Sequence, residues 1–326
     1  MKRVVTAGLV VWMVFMMAGQ ATAEYKARIM LAGTVTMEHP AMIAARNFAD
    51  LIKERSNGRI EITLHPDYDK GERKMAVYLQ EGRIDMTIIS TGPLGDFSPS
   101  ISILDFPFMF RDFNHVDQVM DGPIGNNLLK DLDKANITGL AFWESGFRHL
   151  TNSKRPIKNV EDAKGLSIRT MENKVHMASW KAAGLDPTPI SYSELYRALQ
   201  QNIVDCQENP VATFYNTKFW ETGQKHFSLT SHIYSPAPIL MNKKLFDAMP
   251  EKDQEMFRNT AREVARFQRK IARDAEAAKL QEIEAKGVVV VRDVNRESFK
   301  KAMSPVYGEF GAQFPKAEID AIMNVK

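Results

Sequence analysis

The chain has 326 residues, with 43 Lys and Arg against 40 Asp and Glu, and a formal charge of +3 that falls by two once Lys2 and Arg3 are set aside. So even a balance is unsuited to a nucleic-acid binder, while 44% hydrophobic residues suffice for a packed core. The single cysteine, Cys206, excludes an intrachain disulfide and sits in an apolar run, where it reads as a small buried hydrophobe. At the start, Lys2 and Arg3 precede the apolar run Val4 to Met17, and "ATA" at 21–23 leads into Glu24. That pattern reads as a signal peptide cleaved after Ala23, because the apolar run is too short for a comfortable span. No later stretch is apolar enough to cross a membrane. The reading is a soluble exported chain, most simply in a bacterial periplasm, whose length suggests two domains.

In chain order, residues 26–33 read as a strand, and Pro40 opens a helix through Ala44, Phe48 and Leu51 that stops at "SNG". Residues 59–64 are the next strand, 72–80 a helix and 84–90 a third strand that ends in the turn "TGPLG". The run "ITGLAFW" predicts another strand, with Arg148 just beyond it. Strand 166–169 ends on Arg169 and precedes a helix around 172–183. "SYSE" at 191–194 reads as a capping box, with Ser191 as cap and Glu194 reaching back. Strand 202–206 runs into "QENP", where Asn209 reads as an N-cap and Pro210 as the first helical position. Residues 251–286 predict one long helix, straight or kinked, across both lobes, followed by the buried strand "VVVV" at 288–291. Strands alternating with helices make this an α/β protein with a largely parallel sheet.

Catalytic motifs are missing. There is no G-x-S-x-G elbow, H-E-x-x-H or Gly-rich phosphate loop, so no cofactor and no metal are expected. Glu172 and His176 read as a surface pair rather than as ligands. Polar residues at element ends remain. Ligands of α/β folds gather at the carboxyl ends of strands, and Arg148, Arg169 and Asn209 all fall there. Two guanidinium groups and an amide suit a carboxylate. For Arg148 an ion pair within the protein is an equally good reading. For Arg169, at the end of a buried strand, a ligand is the better one.

The runs "GFRHLTNSKRPI", "DAKGLSIRTMEN", "ISYSELYRALQQNIVDCQENP" and "KFWETGQKHFSLTSH", with "GERKMAVYLQEGRIDM" earlier and "NKKLFDAMP" later, resemble the DctP-type solute-binding proteins of tripartite ATP-independent periplasmic (TRAP) transporters. The resemblance implies a two-lobed periplasmic-binding-protein clamp with a long helix across both lobes. Residues 24–146 plus about 236–275 would form lobe I, and 147–235 plus about 276–326 lobe II. It implies that Arg169 bridges a ligand carboxylate and that Arg148 and Asn209 add hydrogen bonds. Tyr192 falls where the family packs an aromatic on the ligand, commonly Phe. Ser90, Glu72 and His39 fall near the cleft on the first lobe. Tyr215, Trp143 and Tyr234 are further aromatic candidates for the lining.

The expected function is capture of a small organic acid, a sugar acid such as a hexuronate or aldonate first, for a TRAP membrane complex. A C4-dicarboxylate, 2-oxo acid or sulfonate are the alternatives. The protein is expected to be a monomer and not an enzyme. A rival periplasmic enzyme would need His39 or His232 as its base, and a sensor role is a third reading.

Overall fold

Alternating burial along Ala27–Gly33, with Ile29, Leu31 and Ala32 inside, sets the first strand, β1. The computed structural model describes residues 24–68 and 71–326, and the expected signal peptide lies outside them. The other strands are β2 (Ile60–His65), β3 (Met86–Ile88), β4 (Ile137–Asn152), β5 (Ser167–Thr170), β6 (Asp186–Pro189), β7 (Cys206–Asn209), β8 (His226–Asn242) and β9 (Val289–Val291). They form one sheet in the order β2-β1-β3-β8-β4-β7-β5-β6, with β9 on the first residues of β8. β1 runs parallel to β2 and β3, and β5 parallel to β6 and β7.

The two parallel groups are joined by the antiparallel ribbon of β4 and β8. β4 has 16 residues and β8 has 17. At 3.3 Å per residue such a strand extends about 53 Å, more than one lobe needs. The ribbon therefore serves both lobes of this α/β clamp. Phe48, Trp143, Ile239 and Phe257 pack on one side of the first lobe's sheet, and Met75, Leu104, Phe106 and Leu240 on the other. In the second lobe the two sides hold Leu150, Ile168 and Trp180, and Leu195, Phe214 and Phe227.

Between the lobes the ribbon is irregular. Its register shifts between Glu144 and Gly146, opposite Pro236 and Ser235. Gly146 has φ +120°, and Pro236 lacks a ladder donor. Gln268 binds this point from the side: its Oε1 accepts from Glu144 N at 2.9 Å and its Nε2 donates to Glu144 O at 2.8 Å. Gln268 belongs to the helix Glu251–Asp274, which also takes Trp143 Nε1–H on Ala261 O at 3.1 Å. The expected long helix is broken at Ala275, and a second helix, Glu276–Ala285, packs Leu280 and Ile283 into the second lobe.

Several local expectations are corrected. Ile203 is 60% exposed and Asn202 has φ +54°, so the predicted strand 202–206 is a turn and β7 starts only at Cys206. "QEN" is thus strand, and Asn209 is not an N-cap: Pro210 takes that place before the helix Val211–Asn216. The capping box does not form, because Ser191 caps without a side-chain bond and its Oγ meets Ser193 Oγ at 3.2 Å. "TGPLG" winds into a 3-10 helix, Gly92–Asp96. The helix Lys174–Ala182 is capped by Asn173, and His176 is buried 3.6 Å from Asp105 instead of pairing with Glu172 outside. Val289 is 49% exposed, so β9 is an edge strand rather than a buried one.

The lobes touch on both sides of the opening. Asn173 Nδ2 donates to Gly92 O at 3.0 Å and to Asp105 Oδ2 at 3.1 Å. Gly71, at φ +67° just ahead of the helix Glu72–Gln80, approaches the start of the helix Tyr192–Gln200. A Cβ at Gly71 would lie 2.0 Å from Ser191 Oγ.

Two buried histidines make this fold acid-sensitive. His39 Nδ1 accepts from Ala41 N at 3.2 Å and His149 Nδ1 from Ser231 N at 3.2 Å, so each Nδ1 must be unprotonated. Burial lowers both rings to about 3, with the Lys279 charge adding at His39 and those of His232, Arg296 and Arg148 at His149. Between pH 3 and 6.5 the unfolded chain binds these protons and the folded chain does not, so stability falls as pH drops below 6.5. Each ring accounts for a loss of about 2 kcal/mol at pH 5. Urea midpoints of the ligand-free protein should fall clearly from pH 7 to pH 5. His39→Asn, which keeps a capping side chain, should flatten that fall, and an unchanged wild-type midpoint would contradict the assignment.

Candidate functional site

A cleft opens between the lobes. Seven of the candidates line it: His39, Glu72 and Ser90 from the first lobe, and Arg148, Arg169, Tyr192 and Asn209 from the second. Tyr215 and His232 do not, for reasons given below.

Arg169 is the third of four residues of β5 and is 2% exposed. Its Nε donates to Ile190 O at 2.7 Å, while its buried Nη1 has no hydrogen-bond partner. Burial, with the nearby Arg148 charge, lowers its pKa to about 10, which still leaves it charged at neutral pH. It forms no ion pair among the described residues. A buried cation in that state is costly until an anion reaches it.

Arg148, on β4 and separated from β5 by β7, is in a different condition. Its Nε lies 2.5 Å from Glu208 Oε2, and its Nη2 donates to Glu208 Oε1 at 2.8 Å and to Asn209 Oδ1 at 3.1 Å. Of the two readings for Arg148, the ion pair is the one found. Burial alone would raise the Glu208 pKa, but Arg148 and then His232 outweigh it and hold the carboxyl well below the usual carboxylate range. His232 is fully buried behind this pair, with Nε2 at 3.0 Å from Glu208 Oε2 and Nδ1 at 2.8 Å from Thr230 Oγ1. It is a support of the ion pair, not part of the cleft wall. Asn209 has both ends engaged, since Nδ2 donates to Gln207 Oε1 at 2.6 Å. Glu208 was not among the candidates. The four-residue error in placing β7 left it in a predicted loop, although a Glu inside a buried strand demands a buried cation.

On the facing wall His39 is the N-cap of the helix Pro40–Arg55. Because its Nδ1 accepts, its Nε2 carries the proton and stands 3.5 Å from Thr213 Oγ1 across the cleft. The Glu72 carboxylate accepts from Ser90 N at 2.9 Å and from Ser90 Oγ. Tyr192 OH meets Thr217 Oγ1 at 2.7 Å, and burial pushes its pKa up to about 12, so it stays neutral. Tyr215 turns outward and donates to Glu282. Trp143 and Tyr234 are core residues, 1% and 2% exposed. Glu144 is also a lining residue, and its buried carboxylate is bound to Arg273 and to Tyr234 OH.

These groups can bind but are poorly set to react. The His39 ring is too weakly basic to take a proton near neutral pH, and His232 is enclosed. Cys206 is buried and its thiol is pushed up by that burial. Among the described residues no group of His, Cys, Asp and Glu is placed to hold a metal.

The profile of the family described as "Bacterial extracellular solute-binding protein, family 7" (DctP) matches residues 31–313. A solute-binding protein of Verminephrobacter eiseniae is 41% identical over 87% of this chain and 85% of its own length. The 2,3-diketo-L-gulonate-binding periplasmic protein YiaO of Escherichia coli is 33% identical over 88% of each chain. A TRAP periplasmic solute-binding protein from Polaromonas sp. JS666, solved bound to D-erythronate, superposes with a TM-score of 0.90 at 42% identity, over 92% of this chain and 99% of that one. With this fold, this cleft and these matches, the chain belongs to the DctP family of TRAP periplasmic solute-binding proteins, which bind small acids for transport and are not enzymes.

Proposed function

We propose that this protein captures a sugar acid with one carboxylate, an aldonate or its oxidised relative, and delivers it to a TRAP membrane complex. The observation that carries this reading is the buried, unpaired Arg169. Charge bookkeeping around it favours one carboxylate over two. Arg148 is neutralised by Glu208, and Glu144 by Arg273. His39 is neutral, and Glu72 adds a negative charge to the facing wall. One anion therefore balances Arg169, and a second would meet Glu72 in a poorly solvated space. The remaining polar groups, Nε2–H of His39, Ser90, Tyr192, Asn209 and the Glu72 carboxylate, suit hydroxyls. The D-erythronate of the Polaromonas protein and the 2,3-diketo-L-gulonate of YiaO are both sugar acids with one carboxylate.

The same reading has residues 1–23 removed on export and the lobes closing about Glu144–Gly146 and Ser235–Pro236, with the protein acting as a monomer. The lobes would divide as 24–146 with 236–275, and 147–235 with 276–304. Packing of Val306, Phe314, Ile319 and Ile322 with Leu104 and Phe106 supports giving the carboxyl-terminal residues to the first lobe.

Three substitutions test it by calorimetric titration with an aldonate, with ligand-free melting temperatures as controls. Arg169→Ala should weaken binding by about 30-fold to a few thousandfold, the effect of stripping one partner from a buried charge pair. Arg169→Lys should also lose much of the affinity, because an ammonium lacks the planar fork. Wild-type affinity in Arg169→Ala would move the site elsewhere. Gly71→Ala carries backbone strain in both states, which lowers the melting temperature, but its clash with Ser191 arises only on closure. Its affinity should drop by about tenfold, roughly 1.4 kcal/mol. Unchanged affinity would mean that the Gly71–Ser191 contact is not part of the bound form. Glu72→Gln should improve succinate binding by about fivefold or more through loss of the repelling charge. A Glu72→Gln protein no better for succinate would remove Glu72 from the selectivity argument.

A further inference from the structure

The ligand cleft has a neighbour. A second cavity shares Thr34, Val35, His39 and Tyr192 with it and continues past Tyr192 to Tyr196, Asn216 and Thr217. The two spaces have common walls, and Tyr192 is the only second-lobe residue among them. It occupies the first position of the helix Tyr192–Gln200, so its backbone is held by the helix, and its hydroxyl is tied to Thr217 Oγ1 at 2.7 Å. Thr217 follows the helix Val211–Asn216, which also supplies Thr213 and Asn216. The ring is thus fixed at both ends, by its own helix and by a residue of the next one.

We propose that Tyr192 is a partition that sets ligand length: it confines the bound acid to the inner cleft and closes off an outer subsite able to take a further sugar ring. The proposal rests on the sugar-acid reading above. The outer space has the chemistry for a sugar. Tyr196 offers an aromatic face, and Asn216, Thr217, Thr34 and Thr36 offer amide and hydroxyl groups. A phenylalanine at position 192 would divide the two spaces with its ring alone. The tyrosine adds the tether, which removes the rotamer freedom by which a ring could swing aside. The aldonate proposed for the inner cleft ends on the near side of Tyr192, and a glycosylated aldonate must pass it.

The test is titration of wild type, Tyr192→Phe and Tyr192→Ala with gluconate and with lactobionate, which is gluconate carrying a galactosyl ring. Both probes have one carboxylate, so Arg169 has the same partner in each. Wild type should prefer gluconate by about a hundredfold or more. Tyr192→Phe, which keeps the ring and loses the tether, should narrow that preference by about tenfold, and Tyr192→Ala should abolish it with lactobionate gaining in absolute affinity. Melting temperatures establish that each variant is folded. Wild type binding both acids alike, or Tyr192→Ala weakening both equally with no gain for lactobionate, overturns the partition while leaving the sugar-acid reading intact. Failure of folded wild type to bind any one-carboxylate sugar acid overturns that reading, and the partition with it.

Discussion

A guanidinium removed from water without an anion is the constraint from which the rest of the site follows. Arg169 cannot shed its charge near neutral pH, and its one bond to Ile190 O leaves Nη1 buried with no acceptor. On the proposed reading the missing partner comes from outside, as the ligand carboxylate. Its neighbour makes the contrast. Arg148 is as deeply buried but is locked to Glu208, which is in turn held by His232. One arginine is completed by the fold; the other, on the proposed reading, is completed by the ligand.

The cleft lies where two lobes meet, beside the irregular part of the ribbon that joins them. β4 and β8 run through both lobes, so the lobes cannot separate, yet the ribbon is disturbed where it leaves one for the other. Gly146 and Pro236 each remove something regular strands depend on: the first an ordinary φ, the second a donor. Gln268 compensates by holding both backbone groups of Glu144 from the long helix. The break at Ala275 lets the two helical segments pack on different lobes. In the proposed function, a ligand bridging Arg169 on one lobe and the Glu72–Ser90 wall on the other would have its binding energy coupled to this joint. That coupling is what a transport protein needs if the membrane partner is to tell loaded from empty.

Much of this was legible in the sequence, and the failures have physical causes. Leu166 and Ile168 bracketing Ser167 announce a short buried strand, and an arginine at its end is conspicuous because burial makes it costly. The β-α alternation of residues 26–88 was equally clear. β8 was not legible as one strand, since Pro236 and Pro238 argue against a central position; long-range pairing with β4 overrides them. The run from Asn202 to Cys206 looked like a strand because Ile203 and Val204 are β-branched, but Ile203 faces solvent and the chain turns there. That slip concealed Glu208 and with it the fate of Arg148. "SYSE" failed as a capping box because Ser191 stands at a contact between lobes, where Gly71 comes close and Ser193 takes its hydroxyl. His39, expected only as a residue near the cleft, is also a helix cap, which fixes its tautomer.

The central claim is that the cleft balances one carboxylate on Arg169 and meets the rest of the ligand with neutral or acceptor groups. Its most direct test is calorimetric titration of the purified protein with three four-carbon polyols that differ in carboxylate number: erythritol with none, erythronate with one and tartrate with two. The account predicts that erythronate binds and that erythritol and tartrate are each weaker by about a hundredfold or more. Erythritol binding as tightly as erythronate, or tartrate binding more tightly, would contradict it.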